Sequence, residues 1–557
     1  MGQQLALMSL YIIPLYEEIV SSQTLGNPFL FRSLSEQQQL TAWLAATQPT
    51  VKNKSPAPDN ALLPVILHSS QFRQENTKAY QFQCNCACPD DGFSFSAPRA
   101  WTDYQTPLVQ PRLHGQFLPD DHLLLFNPYH DQGVTVLNGG ARGLWQQFHQ
   151  PRLIHDVLTN PSDQIGLKAI ENMVALGALQ PVGFQPQVRK RDPRILNTWI
   201  HVTNECNLRC DYCYINKTDD DMPADVGRAA VDAILRSAEQ HGFQQVKLKF
   251  AGGEATLNLK RVFDIHTYAI EQAQQKGIGI DTVVLSNGVA IGERAIEAFT
   301  ERGIQVSISL DGLADAHDSQ RPFKNGKGSF AWVNRTLERL VKRGIKPFIS
   351  ITLSNRNADG LADLIQYVVD RDLPFNINFF RENDCAAPHT DLKLLDDKII
   401  DAMHNAFAVL EKNLPNRSLL GSLVDRAQFD APHDKTCSVG DSYLVIDHKG
   451  NVAKCQMEIE RPITSIYADD PLGDLRQDRL GIQNLSVEEK EGCRDCEWKY
   501  WCAGGCPVLT YRATGRYDVK SPNCRIYKAL YPQLLRLEGL RLLQLASQQR
   551  PATTLPH

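Results

Sequence analysis

Glu205–Tyr214 reads E-C-N-L-R-C-D-Y-C-Y, placing Cys206, Cys210 and Cys213 with three and then two residues between them. Three thiolates on one tight loop can hold three corners of a cubic 4Fe–4S cluster. No fourth cysteine stands in the loop, so one iron is left open for a small ligand. The same thiols could form a zinc knuckle, but zinc takes four ligands, commonly from paired C-x2-C motifs. Cys206, Cys210 and Cys213 are therefore the catalytic candidates.

Around this loop, β-rich runs alternate with helical patterns. Strands are expected at Leu196–Thr203, Val246–Phe250, Thr282–Leu285, Gln305–Leu310, Pro347–Leu353 and Phe375–Phe380. Helical periodicity separates them, as over Ala224–His241, Asn258–Lys276 and Phe330–Arg343. This alternation implies parallel βα units, whose reactive groups gather at the C-terminal ends of the strands. Gly252, Gly253 and Glu254 follow the second strand, Ser286 and Asn287 end the third, and Ser309 and Asp311 end the fourth. The glycines allow close backbone approach to a ligand. Glu254 can pair with an ammonium group.

The C-x3-C-x2-C spacing, with Tyr212 before its last cysteine, resembles the radical S-adenosylmethionine (SAM) enzymes. That resemblance implies an α/β fold, a partial (β/α)6 barrel over 195–400. It also implies that the open iron binds the amino and carboxylate groups of SAM. An electron from the cluster then cleaves SAM to a 5′-deoxyadenosyl radical that takes hydrogen from a substrate. The cofactor-binding residues implied are Tyr212, Gly252, Gly253, Glu254, Ser286, Asn287, Ser309, Asp311 and Arg321.

Farther along, Cys437-x12-Gly450-x4-Cys455 precedes Cys493-x2-Cys496-x5-Cys502-x3-Cys506 and then Cys524. This pattern resembles the SPASM extension of radical SAM enzymes, expected over 401–546. By resemblance, Cys493, Cys496, Cys502 and Cys524 ligate one auxiliary cluster, and Cys437, Cys455 and Cys506 the other. The chain would then carry three 4Fe–4S clusters. A four-cysteine zinc site over 493–506 leaves Cys437, Cys455 and Cys524 unexplained. "GNVAKC" reads as a hairpin turn delivering Cys455. Asp441, Ser442 and Tyr443 stand where relatives carry a fourth cysteine, so the Cys437 set is expected to have an open or non-cysteine position. Cys385, in R-E-N-D-C, is assigned to the barrel mouth or to a free thiol. Ile526–Leu545 reads as a closing amphipathic helix, and 547–557 as a disordered tail.

Residues 1–111 give no functional signal. Pro49–Asn60 reads as a loop or linker. Cys84, Cys86 and Cys88 would face one side of an extended strand and suit a soft metal, or are plain thiols. Over 112–185, strands at Leu123–Asn127 and Val134–Asn138 precede helical patterns at ARGLWQQF, Ile154–Leu158 and Ile165–Leu179. This stretch resembles the winged-helix domain that recognises leader peptides beside enzymes modifying ribosomal peptides. A basic, Pro-bearing linker, Pro181–Arg194, follows.

With 557 residues the chain is too long for one core and divides into several domains. A net charge of −5 gives no general attraction to nucleic acid or to an anionic membrane. Leu5–Leu15 is apolar but lacks a preceding basic region and is too short to span a bilayer. Fourteen cysteines at short spacings suit metal ligation in a reducing cytoplasm better than a disulfide framework. The resemblances together imply a maturase that takes hydrogen from a precursor peptide and closes an oxidative crosslink, served by an electron donor such as flavodoxin or ferredoxin. Competing readings are a sulfatase-maturase-like formylglycine enzyme, a small-molecule radical dehydrogenase, and a non-catalytic iron–sulfur carrier or zinc-bound adaptor. Gln456 stands where the formylglycine family's proposed base is an aspartate, which counts against the first.

Overall fold

The computed structural model describes residues 29–30, 63–69, 103–160, 162–185 and 193–549. The Cys84, Cys86 and Cys88 stretch, the apolar segment 5–15 and the linker 49–60 lie outside the described residues, as do 186–192. The described residues form two compact units, one from 29–30, 63–69, 103–127, 134–160 and 162–185, the other from 128–133 and 193–549. No helix among them is long and apolar enough to cross a membrane.

The first unit holds a five-stranded sheet ordered β1-β4-β5-β6-β2: β1 (Phe29–Leu30), β2 (Ile66–His68), β4 (His114–Leu118), β5 (His122–Phe126) and β6 (Val134–Leu137). Two further short strands, β3 (Leu108–Val109) and β7 (Gln180–Pro181), pair with each other. Both edge strands of the larger sheet thus come from upstream of the expected 112–185 boundary. Asn138 fastens the β2 edge: its Oδ1 accepts from Val65 N and Ala141 N, both at 2.9 Å, and its Nδ2 donates to Leu63 O at 2.8 Å. The same side chain caps the helix Gly139–Gln146. Of the two later helices expected here, Ile154–Val157 is a single turn. The other ends at Ala175 rather than Leu179, because Gly177 takes a left-handed φ of 71°.

The second unit is built on a nine-stranded sheet. Its strands are β8 (Ile195–His201), β9 (Gln245–Ala251), β10 (Gly279–Ser286), β11 (Gln305–Ser309), β12 (Phe348–Leu353), β13 (Phe375–Phe379), β14 (Tyr443–Ile446), β15 (Asn451–Ala453) and β16 (Thr464–Ser465). The order is β13-β12-β11-β10-β9-β8-β14-β15-β16. Strands β8 to β13 are parallel, and each lies within three residues of its expected limits. The parallel units are those that the alternation implied, and the open, partial barrel is the one that the resemblance implied. The cysteine-rich C-terminal region does not build a sheet of its own. Its β14 joins β8 in parallel, Tyr443 opposite Asn197, and β15 folds back antiparallel. The hairpin turns at Gly450, whose φ of 88° suits glycine, and Asp447 Oδ1 accepts from Asn451 N at 2.8 Å.

The closing helix runs from Cys524 to Gln549, longer than expected at both ends. Residues 547–549 are therefore helical rather than part of a tail; Ala546, Ser547 and two glutamines extend the helix without a breaker.

Candidate functional site

The cysteine loop follows β8 and is pinned from several directions. Arg209 N donates to Pro322 O at 2.8 Å, Asp211 N to Gln320 O at 3.0 Å, and Leu208 forms an antiparallel bridge with Phe323. Asn383 Nδ2 donates to Tyr212 O at 3.1 Å, and Arg356 Nη1 to Asp211 Oδ2 at 2.6 Å. At its start, His201 Nε2 donates to Asn204 Oδ1 at 2.9 Å, while Asn204 Nδ2 reaches Asn216 O and Thr218 Oγ1. Cys206 is buried, and Cys210 and Cys213 are half-buried.

Gly252 and Gly253 approach this loop closely. A Cβ on Gly252 would lie 2.4 Å from Thr203 O, and one on Gly253 2.3 Å from Glu205 O. Gly253 N and Glu254 N donate to those same two carbonyls at 2.8 Å. The glycines let the β9 end clamp the loop.

The Glu254 carboxylate gathers the neighbouring strand ends. Oε1 accepts from Thr256 N at 3.1 Å, Thr256 Oγ1 at 2.5 Å and Ser286 Oγ at 2.8 Å, and Oε2 accepts from Asn287 N at 2.7 Å. Asn287 Nδ2 reaches Asn207 Oδ1 at 2.7 Å and lies 3.9 Å from Cys206 Sγ. Asp311 is drawn inward: Oδ1 accepts from Thr352 N at 2.8 Å and Oδ2 from Tyr212 OH at 2.6 Å. Arg321 Nη1 donates to Tyr212 OH and lies 3.4 Å from Asp311 Oδ2. Arg321 Nε is buried without a hydrogen-bond partner. Asp311 therefore positions Tyr212 and Arg321, while Ser309 stands half-buried at the β11 end.

Burial pushes the Cys210 thiol up to about 12 against the pull of Arg321, and raises Cys206. Thiols held protonated by burial must lose their protons when a metal binds.

Cys437, Cys455 and Cys506 share one buried cluster with Trp199 of β8, Ala251 of β9 and Tyr443 and Val445 of β14. Burial pushes Cys455 up to about 12. It also raises Cys506, but Arg381 and Arg426 outweigh it and hold that thiol below the usual range. Cys493, Cys496, Cys502 and Cys524 line one small pocket that is partly open to solvent. Among the described residues, no three His, Cys, Asp or Glu side chains converge tightly enough for a single metal ion. Zinc–sulfur bonds of about 2.3 Å would draw four thiolates into contact, so four cysteines ringing a space fit a multi-iron group instead. Lys490 is 1% exposed, donates to Ala503 O at 2.7 Å, and faces Cys493, Cys437, Cys502 and Cys506. A buried ammonium without a carboxylate partner calls for anionic neighbours, and these thiols, if ionised, would supply them.

Cys385 is exposed in the turn Asp384–Ala386; Cys213, Glu460 and Lys217 are among the charges acting on it. That places it at the barrel mouth. Gln456 is buried, accepting from Tyr443 OH at 3.1 Å. Arg356 and Lys490, lone polar residues between motifs, carry no spacing signal, and Asn207 stands inside the cysteine motif at a position that the thiol spacing leaves free.

Strand ends gather three thiols, a buried carboxylate and a buried guanidinium around one loop, an arrangement that suits an iron–sulfur group beside a small zwitterionic ligand. A family model described as the radical SAM superfamily matches residues 200–368, and the chain belongs to that superfamily. An uncharacterised Synechocystis protein is 30% identical over 352 residues, covering 57% of this chain and 85% of its own length. A Methanocaldococcus jannaschii protein, also uncharacterised, is 32% identical over 171 residues, 30% of this chain; the chain spans 57% of that relative's length. The Fe-coproporphyrin III synthase of Methanosarcina barkeri is 25% identical over 393 residues (61% of this chain, 89% of that protein). The serine-type anaerobic sulfatase-maturating enzyme of Bacteroides thetaiotaomicron is 27% identical over 396 residues (62% and 91%). A solved structure of native anSMEcpe with bound AdoMet and Cp18Cys peptide shares the fold, with a TM-score of 0.50 and 18% identity, covering 64% of this chain and 100% of that one.

Proposed function

We propose that the enzyme is a peptide maturase. It takes hydrogen from a residue of a ribosomally made precursor peptide and closes an oxidative crosslink there, a thioether or a carbon–carbon bond. The observation that carries this reading is the convergence of Cys206, Cys210 and Cys213 with Glu254, Ser286 and Asn287 at successive strand ends. When bound at that loop, a 4Fe–4S cluster and SAM supply reductive cleavage and the 5′-deoxyadenosyl radical. Glu254 Oε2, which accepts from Asn287 N, keeps lone-pair capacity for an ammonium group. Arg321, with Nε unpartnered, suits a carboxylate. Ser309 stands at the same rim for a ribose hydroxyl.

Closing a crosslink after one hydrogen has left as an atom requires a further electron and proton to leave the substrate, so an electron acceptor must be near. Cys493, Cys496, Cys502 and Cys524 would hold one auxiliary cluster, and Cys437, Cys455 and Cys506 another. The latter set would leave an open or non-cysteine position, since no fourth cysteine joins it among the described residues.

The peptide substrate is supported by the sulfatase-maturating relative, whose name describes work on a protein. Gln456 cannot ionise, which weighs against formylglycine formation. The porphyrin-related relative keeps a small-molecule substrate as the competing reading. Residues 112–185, with the strands added from upstream, are assigned to leader recognition by strand addition. Because Ile66–His68 already pair with β6, an incoming strand would join the outer edge at β2 or β1.

The test is anaerobic coexpression with a peptide encoded beside the gene, read by mass spectrometry. Loss of two hydrogens at one linkage supports the maturase. Deoxyadenosine formation with no change in any such peptide, but turnover of a small molecule, would replace it.

A further inference from the structure

Side chains along β8 alternate between the two faces of the sheet. Leu196 and Ile200 share one face with Leu248, Phe250, Leu444 and Ile446, which makes that face apolar. Trp199 stands on the other face, opposite Lys249 of β9 and Val445 of β14. It is 9% exposed, and its indole Nε1 is buried with no hydrogen-bond partner among the described residues. An indole N–H can only donate. Left buried without an acceptor it destabilises the fold, so its placement calls for a cause.

The neighbours narrow the choice of acceptor. Val445 offers none, and the Lys249 ammonium is itself a donor. Trp199 packs in one buried cluster with Cys437, Cys455 and Cys506. Of the other side chains there, Tyr443 and Tyr517 carry phenols, Met457 carries a thioether, and the rest are hydrocarbon. Tyr443 OH donates to Gln456 Oε1 at 3.1 Å, and Tyr517 stacks on Tyr511 with ring centres 4.4 Å apart. Three cysteine sulfurs are thus the main acceptors around a donor that has none. Sulfur accepts weakly as a neutral thiol and strongly as a thiolate. Arg381 and Arg426 already favour an ionised Cys506.

We propose that Trp199 is a positioning residue for the group held by Cys437, Cys455 and Cys506, donating its indole N–H to a sulfur of that group and favouring its reduced form. The inference rests on the auxiliary cluster proposed above at those three cysteines. Reduction adds negative charge to the sulfurs, so a hydrogen bond to them strengthens on reduction; such bonds are one of the levers that set cluster potentials. Strand β8 would then serve two sites, carrying the Cys206 loop at its end and the Trp199 donor along its length.

The test uses full-length, iron-reconstituted enzyme with two replacements. One is Trp199→Phe; the other puts benzothienylalanine at position 199, which keeps the indole shape and lacks the N–H. The signal of the Cys437 set is identified by its loss in Cys437→Ala. In a redox titration followed by electron paramagnetic resonance, both replacements should lower the reduced-to-oxidised ratio of that set at a fixed potential about tenfold, or ~59 mV for a one-electron couple. The Cys206 set should not move. With the indole nitrogen isotopically labelled, the reduced signal should show a hyperfine coupling that Trp199→Phe removes. A ratio changed by less than about twofold in the benzothienylalanine enzyme at full iron content overturns the proposal, as does the absence of that coupling. An unmoved potential with a raised KM for the substrate would show that the indole donates to substrate instead, and overturns it too. If Cys437→Ala removes neither iron nor a signal, the auxiliary cluster itself is refuted.

Discussion

Replacing Lys490 by methionine should lower the reduction potential of both proposed auxiliary clusters. The change removes a buried charge at nearly constant volume, and Ala503 O keeps a donor in Thr436 Oγ1 at 2.8 Å. The magnitude follows from Gly504: a Cβ there would lie 3.1 Å from Lys490 Nζ and 3.4 Å from Cys493 Sγ. The ammonium and that sulfur are therefore at most about 6.5 Å apart; at an effective dielectric near 20, unit charges at that separation interact by roughly 2.5 kcal/mol. On a one-electron couple this is on the order of 100 mV. A nearby cation stabilises the more negative, reduced cluster, so its removal lowers the potential. Burial pulls the Lys490 pKa down while the surrounding thiols pull it up, and anionic clusters would hold the ammonium charged. A redox titration followed by electron paramagnetic resonance, on fully iron-loaded protein, should show the Cys493 set falling by about 100 mV. The Cys437 set should move the same way, and the Cys206 set should not move. Auxiliary potentials unchanged within about 20 mV at full iron content would refute the electrostatic argument.

Cys206→Ala, Cys210→Ala or Cys213→Ala should each abolish deoxyadenosine formation while leaving most of the auxiliary iron; retained SAM cleavage in any of them contradicts the loop assignment. Gly253→Ala puts a Cβ 2.3 Å from Glu205 O, so it should cost the cysteine loop its iron, measured by iron content and absorbance, without emptying the other sites. Burial holds His201 down at about 4, below its unfolded value of about 6.5. The unfolded chain therefore binds the extra proton first: stability is full above pH 6.5 and falls by roughly 3 kcal/mol as pH drops towards 4. His201→Gln should flatten that part of a thermal-melt pH profile, and an unflattened profile would assign the acid lability elsewhere. If the Cys437 set has an open position, a thiol-bearing substrate should alter its magnetic resonance signal; an unaltered signal under saturating substrate removes the thiolate-binding step.

The barrel strands were legible because each is a short apolar run bounded by turn residues, and the thiols because their spacing is rare. What sequence could not show is pairing over long distances. Tyr443–Ile446 reads only as four apolar residues, and nothing in them says that they continue β8 in parallel. The edge strands Phe29–Leu30 and Ile66–His68 are too short to carry a period. Lys490 sits in V-E-E-K-E-G-C, which reads as a solvated face; its burial follows from the fold around Ala503. Gly252 and Gly253 read as close-approach glycines, and the close approach to Thr203 O and Glu205 O is a long-range contact that sequence does not show. Asp311 is expected from the resemblance to meet the cofactor; its contacts to Thr352, Tyr212 and Arg321 join residues far apart in sequence, which spacing does not show.

The continuity of the sheet bears on how the proposed clusters could communicate. A C-terminal region with its own sheet could move relative to the barrel, and the separation of the two thiol sets would vary. Here β14 is hydrogen-bonded to β8, the strand that ends in the cysteine loop, and the β14–β15 hairpin delivers Cys455. Trp199 of β8 and Ala251 of β9 pack in the same cluster as Cys437, Cys455 and Cys506. Tyr214, directly after Cys213, has its phenol pKa raised by burial and by the charges of Cys213 and Cys455 together. One side chain thus lies within electrostatic reach of a thiol from each set. An electron leaving a substrate radical and an electron entering for SAM cleavage would then travel in one rigid frame. Shifting Cys455 against Cys213 would require breaking the β8–β14 ladder, which makes fixed separation a property of the backbone rather than of side chains.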